Sequence, residues 1–505
     1  RAGPWRVLRR RAPTRAGAGP VSGPAGRATT QCVRPARRGA ANGKQGKIKG
    51  GTGAVKRSIS VAMAFVGLLV GAGFATGAEV IQYFISFGWV GIVGAVIAGI
   101  IMGLAGAVIL GLGSYFLADE HNYVFRNVSH PVMSRFLDVS VTFTLGAVGV
   151  VMLAGAGENL AQQFDIPSWI GSFVMTVIVI GVGLLNVDKV SNAIGMLTPL
   201  VIIAVIAAFI YTMFNLPDDF STLQETARAE DSPIPFWLLS AVNYNGLALL
   251  LGVSMSLVIG GNHTDPRASF RGGIIGGVIY TVMLVMAAVV MFLNIEDVTG
   301  AEVPMLTLFN SMAPWAASLM VWVIFAMIFN TAIGMFYALG RRLSAGNHKQ
   351  YPLFLIVSTL VGFGISFFGF DLLMDYLYPV IGFLGMVMVA VLCYWWIKHR
   401  STIKEENVRR ARIRDLTERR EDDDRDFSEK HANELKHLTS ESNIDDDDLR
   451  EAIDGEVAGD DASSDDEDGD GEDSYSGSGD EDSSNDRGEK ASSGTGGGDR
   501  VAGRS

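Results

Sequence analysis

The sequence predicts an all-α polytopic membrane protein: ten transmembrane helices in a 5+5 inverted repeat, helices 1 and 6 discontinuous, and disordered tails. Three observations predict it. The stretch 58–400 is a succession of apolar runs of about 20 residues, the length that spans a hydrocarbon core of roughly 30 Å. Basic residues between those runs fall almost entirely on alternate loops. The first run is interrupted by Gly71-Ala72-Gly73-Phe74-Ala75-Thr76-Gly77-Ala78-Glu79, where an unbroken helix would be expected.

Charge divides the 505 residues into three sections. Residues 1–57 carry fifteen Lys/Arg and no acid, residues 58–400 eleven basic and eighteen acidic residues, and residues 401–505 fifteen and thirty-four. The first section reads as a basic leader without apolar periodicity or a signal-peptide core. It is either a disordered tail or sequence not naturally translated, since the first methionine is Met63 and Val55 offers an alternative start. The middle section is one membrane domain. The last is a charged cytoplasmic tail whose part beyond 441, rich in Asp, Ser and Gly, reads as disordered. Cys32 and Cys393 are too few for a disulfide framework, and the seven histidines show no metal-ligand spacing.

Taken in order, the spans read 58–86, 89–117, 138–163, 168–187 and 189–214, then 236–261, 268–293, 315–340, 351–369 and 370–397. The 294–314 stretch reads as an external loop containing a short helix. With the amino terminus inside, the inner loops collect Arg126, Arg135, Lys189, Arg267, Arg271, Arg341, Arg342, Lys349, Lys398 and Arg400, against Arg228 alone outside. That segregation requires an even number of spans. Helices starting at 58, 89, 138 and 189 have counterparts at 236, 268, about 315 and 370, an offset of 170–180 residues that pairs two halves of opposite topology.

Three glycines in seven residues weaken the first helix, at about 1 kcal/mol each relative to Ala. Irregular backbone survives at membrane depth only where protein or a watery cavity satisfies it, and a carboxylate such as Glu79 does not face lipid there. The segment therefore reads as a binding site in a broken helix, with close helix packing through small residues as the alternative. The freed N–H groups after the break suit a substrate carboxylate. The sixth span carries Asn243-Tyr244-Asn245-Gly246 at the matching place, read as a second break whose side chains hydrogen-bond a solute; interhelical hydrogen bonding is the alternative. Glu79 and Glu158 are the two acids read within the domain, each a carrier of a coupling proton or an ionised ligand, with Glu158 otherwise reaching the outer interface. Tyr378-Pro379 reads as a kink in the tenth span.

GAGFATGAE, the Asn243–Gly246 segment and the ten spans resemble the YkvI-like family of prokaryotic membrane proteins, placed in the amino acid–polyamine–organocation superfamily. The resemblance covers about 55–400. It implies the inverted-repeat fold of the sodium-coupled amino-acid transporters and a place in a prokaryotic plasma membrane, multi-pass, with both termini cytoplasmic. Gly71-Ala72-Gly73 is similar to the G-x-G at the unwound point of those symporters. By that motif the carbonyls near Gly67 and Val70 face a cation site and the amides around Gly73–Gly77 face the substrate. Phe74 stands where the symporters have Asn. Asn330-Thr331, mid-span in the eighth helix, can complete a Na⁺ site with the carbonyls, since hard cations take oxygen ligands.

The expected function is a secondary active transporter of a small amino-acid-like solute, coupled to Na⁺ or H⁺ and using no other cofactor. The rival is a non-transporting membrane sensor or assembly protein that uses its acidic tail for interactions. No P-loop and no nucleophile constellation occurs, which argues against an enzyme. The partners expected are a solute and the bilayer, with no nucleic acid.

Overall fold

The structure, a computed structural model, describes residues 50–185, 197–217, 220–344, 347, 349–422 and 426–469. The leader before residue 50, Lys189 and the tail beyond 469 lie outside the described residues. Among the described residues every regular element is helical.

The first expected span is three pieces: α1 (Gly50–Leu69), α2 (Ala72–Thr76) and α3 (Ala78–Tyr83). After a single 3-10 turn at Ile85–Phe87 come α4 (Trp89–Phe116), α5 (His121–Val128), α6 (Pro131–Phe164), α7 (Ser168–Gly183) and α8 (Leu197–Phe214). Next are α9 (Phe220–Ala229), α10 (Trp237–Gly261), α11 (Pro266–Leu293), α12 (Ile295–Val298) and α13 (Pro304–Met312). Then follow α14 (Pro314–Leu343), α15 (Tyr351–Ser366), α16 (Phe370–Lys398), α17 (Arg400–Glu421), α18 (Glu429–Ser440) and α19 (Asp446–Gly469). Six of these, α4, α6, α10, α11, α14 and α16, are long and apolar enough to cross a bilayer, and α7, α8 and α15 are shorter apolar helices. The chain is a multi-pass membrane protein.

Small residues set how closely these helices approach. A side chain at Gly277 of α11 would run into the backbone of Gly103 on α4, and one at Gly246 of α10 into the Gly382 carbonyl on α16. Such contacts replace the hydrophobic drive that lipid removes. They also bear on one expectation that the structure overturns: α10 is continuous through Asn243–Gly246, so the sixth helix is not broken there. The polar side chains serve packing instead. Asn245 Nδ2 donates 2.9 Å back to the Ala241 carbonyl one turn earlier, and Asn243 Nδ2 donates 3.0 Å across the interface to the Pro379 carbonyl of α16.

Polar contacts tie several helix ends into one face. Arg342 at the end of α14 donates 2.7 Å to Thr142 Oγ1 and pairs at 2.5 Å with Asp138, both on α6. It also bonds His121 Nε2 on α5, while His121 Nδ1 lies 2.9 Å from Ser254 Oγ on α10. Burial first, and then the Arg342 charge, lower the His121 pKa to about 4, so the ring is neutral at pH 7 and accepts from the guanidinium.

The tail departs from the disorder expected beyond 441. Ile413, Leu449, Ile453 and Val457 form a small second core joining α17 to α19. Arg410, 3 % exposed, donates to the carbonyls of Ser114 and Tyr115, both at 2.8 Å, and to Asn443 Oδ1 at 2.9 Å. Glu456 of α19 accepts from Thr264 N at 2.7 Å and Oγ1 at 2.6 Å. Composition hid this because three apolar residues spaced through an acidic stretch suffice once they meet Ile413 of α17 and a buried arginine caps the end of α4.

A carboxylate cavity at the break in the first helix

Gly71 is extended, with φ −98° and ψ −172°, and Gly77 is left-handed, with φ +80°. A β-carbon tolerates that left-handed turn poorly, so glycine is what lets α2 end and α3 begin within one residue. Across the first gap, Val70 N bonds Val66 O at 2.9 Å and Gly71 N bonds Leu69 O at 3.0 Å. Among the described residues no backbone N–H reaches the carbonyls of Gly67, Leu68 or Val70. The amides after the break are less free than expected. Ala75 N bonds Gly71 O at 3.1 Å, Gly77 N bonds Phe74 O at 3.3 Å, and Ala78 N takes Thr76 Oγ1 at 3.4 Å, while that hydroxyl donates 2.8 Å to Gly73 O.

The break opens onto a cavity of about 30 Å³. That is room for about two waters or a small cationic group, not for a whole amino acid. Gly71, Ala72, Gly73, Phe74 and Glu79 line it from the first helix, Tyr244 from α10, Thr331 from α14 and Tyr378 from α16. Seven of the site residues expected from the sequence therefore meet at one place. The Glu79 carboxyl folds back over Gly73, occupying the position that a side chain there would take. Among the described residues no hydrogen bond or ion pair to Glu79 is formed. Thr331 Oγ1 donates 3.2 Å to Met327 O, so its lone pairs remain open.

The others lie elsewhere. Ala75, Thr76 and Gly77 are buried in α2 and its cap, and Gly67, Val70 and Asn330 flank the cavity without lining it. Asn243 and Asn245 are buried in interhelical and intrahelical hydrogen bonds. Glu158, near the C-terminal end of α6, belongs with the acids Glu302 and Asp371 rather than with Glu79. Burial, then Asp371 and Glu158, push the loop residue Glu302 up to about 8.

Beyond Phe74 and Tyr244, the sequence reading missed the aromatic residues around the site. Tyr244 Oη lies 2.5 Å from Tyr280 Oη, and the Tyr280 ring sits 5.9 Å from Phe74. Tyr83 and Phe84 pack on Tyr244 at 5.3 and 5.1 Å, and Tyr83 Oη donates 3.3 Å to Asn243 Oδ1. Tyr378, beside Pro379 within α16, reaches the cavity as well. Met152, Val148 and Leu251, among the apolar residues that also line the cavity, carry no signal that separates them from ordinary core residues.

No family profile matches the chain. It is similar to the uncharacterized membrane protein YkvI of Bacillus subtilis, 26 % identical over 349 residues, covering 68 % of this chain and 97 % of that one. It is also similar to the uncharacterized protein YyaD of the same organism, 26 % identical over 340 residues, with 65 % and 94 % covered. Among solved structures, MhsT in complex with L-phenylalanine aligns with a TM-score of 0.49 at 16 % identity, covering 78 % of this chain and 98 % of that one. A mutant of the Eremococcus coleocola manganese transporter aligns with 0.42 at 12 % identity, covering 82 % and 94 %. At TM-scores below 0.5 neither likeness carries an argument.

Proposed function

We propose that this protein is a secondary active transporter that moves a small amino-acid-like solute by alternating access, driven by Na⁺ or H⁺. Ten spans in a 5+5 inverted repeat, both termini cytoplasmic, in a prokaryotic plasma membrane, complete the reading; α7, α8 and α15 then count as spans and α1–α3 as one. One observation carries it: an unpaired carboxylate, Glu79, in a cavity opened by a broken helix inside a multi-pass bundle. A buried carboxylate without a partner is costly unless a proton or an incoming cation neutralises it, and a site that needs an occupant is what a carrier offers. The free carbonyls at Gly67 and Val70, with Thr331, support a Na⁺ site; Glu79 supports a proton or the solute's own charge. Glu158, placed outward, is the lesser coupling candidate.

The test is uptake in proteoliposomes with Na⁺ and H⁺ gradients imposed separately. One gradient is expected to drive accumulation, and Glu79→Gln to abolish it while leaving expression intact. Retained exchange in Glu79→Gln assigns proton coupling, because exchange needs binding without net proton release. Full accumulation with Gln in place shows that the charge is not needed.

A further inference from the structure

We propose that the cavity selects a small organic ammonium, held by its cationic end against Glu79 and without a matched carboxylate site. This rests on reading the site described above as the solute site and replaces the amino-acid-like solute of that reading by an amine without a carboxylate. Among the cavity-lining residues Glu79 alone is charged, and no Lys, Arg or His accompanies it. Around it stand the faces or edges of Phe74, Tyr244 and Tyr378, and aromatic rings attract an alkylammonium through their quadrupoles. The unengaged carbonyl of Leu68 and the Thr331 hydroxyl, both at the cavity, add acceptors. Every one of these features favours a donor-bearing cation.

The case against an anionic end is as specific. The place that a substrate carboxylate would take, over Gly73 at the start of α2, holds the Glu79 carboxyl. Two carboxylates there would repel in a low-dielectric cavity. α2 is five residues long, little more than one turn, so its dipole offers little to an anion, and two of the amides expected to serve are bonded internally. Asn243 and Asn245, the neutral donors that would have oriented a carboxylate, are spent in packing. A cavity of about 30 Å³ admits an ammonium head while the organic body follows on opening.

The experiment is calorimetric titration of the purified full chain in detergent with ethylammonium chloride, glycine, sodium acetate and sodium chloride. Ethylammonium is expected to bind saturably and at least tenfold tighter than glycine, and acetate to add nothing beyond its sodium. Glu79→Gln is expected to weaken ethylammonium at least tenfold and Phe74→Leu severalfold; Glu79→Asp, which keeps the charge, should retain part of the affinity. Ethylammonium binding that survives Glu79→Gln overturns the proposal, as does tighter binding of glycine or acetate. Absence of saturable ethylammonium binding up to roughly 100 mM, in protein that melts cooperatively, overturns it too. A protein that binds ethylammonium but accumulates nothing refutes the transporter reading and leaves this one standing.

Discussion

Glu406 and Glu79 are glutamates that the chain treats in opposite ways. Glu406 on α17, 2 % exposed, receives Ser442 Oγ at 2.5 Å, Arg410 Nε at 2.9 Å and Arg409. Burial alone would push its pKa up, but the Ser442 hydroxyl and the two guanidinium groups hold it below the ordinary carboxylate range. Glu79, at membrane depth, has no such partner among the described residues. The chain can neutralise a buried carboxylate, and does so where the role is to fix a tail. Where it withholds neutralisation, the unmet charge is available to a ligand or a proton.

Removing the partner of Glu406 should show the largest effect. Arg410→Ala leaves a buried acid with less compensation and removes the guanidinium from the carbonyls of Ser114 and Tyr115, which keep Leu117 N and Asn443 Nδ2 as donors, a loss of about 3–5 kcal/mol for a broken buried pair. The observable is limited proteolysis: α17–α19 should become sensitive while the membrane helices stay protected. The matching change at the other site has the opposite sign. Glu79→Gln removes an uncompensated charge and should leave the melting temperature unchanged or raised, whereas Glu406→Gln should lower it. Equal destabilisation by both would mean that Glu79 has a partner, and the contrast would fail.

Titration sharpens the same contrast away from the bilayer. His121 has its folded pKa lowered to about 4 from 6.5, so its contribution is full above 6.5 and is lost as pH falls toward 4. Protonation breaks the acceptor role toward Arg342 and loosens α5, α6, α10 and α14 from one another. Glu302 runs the other way: its pKa is raised to about 8 from 4.5, so stability is lost as pH rises from 4.5 through 8. The two windows overlap from 4.5 to 6.5, where the opposite slopes cancel, so a thermal melt across pH should be nearly flat there and fall on either side. His121→Gln should flatten the acidic limb and Glu302→Gln the alkaline one.

How much of this was legible differs by residue. Gly71–Gly77 announced the break because glycine spacing is a local property, and Glu79 stood out because a carboxylate within an apolar run is rarely tolerated without a role. Asn243–Gly246 looked like a second break by the same logic and is a packing seam. The deciding facts, the Pro379 carbonyl that accepts across the interface and the approach of Gly382, lie about 136 residues away in sequence. Asn243→Ala should accordingly cost its two interhelical hydrogen bonds, to the Pro379 carbonyl and from Tyr83 Oη, roughly 0.6–2 kcal/mol each, with ethylammonium binding unchanged. Tyr244 draws notice in the sequence for its hydroxyl, yet that hydroxyl is taken by Tyr280 and its ring is what meets the cavity. The Arg410 clamp was invisible, because a cluster of arginines beside a membrane reads equally as lipid contact.

The smallest expected effect on stability belongs to Gly73→Ala, and it separates geometry from charge at Glu79. The added methyl group occupies the space of the Glu79 carboxyl, which is the far end of a flexible side chain and can swing away. Within α2 alanine is favoured over glycine by about 0.5–1 kcal/mol, which offsets most of the cost of moving the carboxyl. The melting temperature should therefore change little. Ethylammonium affinity should still fall severalfold, since the charge is retained but no longer held against the aromatic wall of Phe74 and Tyr244. If Gly73→Ala binds ethylammonium as the parent does, the position of the carboxylate over Gly73 is incidental and only its charge matters. If it binds acetate instead, the place over Gly73 is an anion site that Glu79 had been blocking.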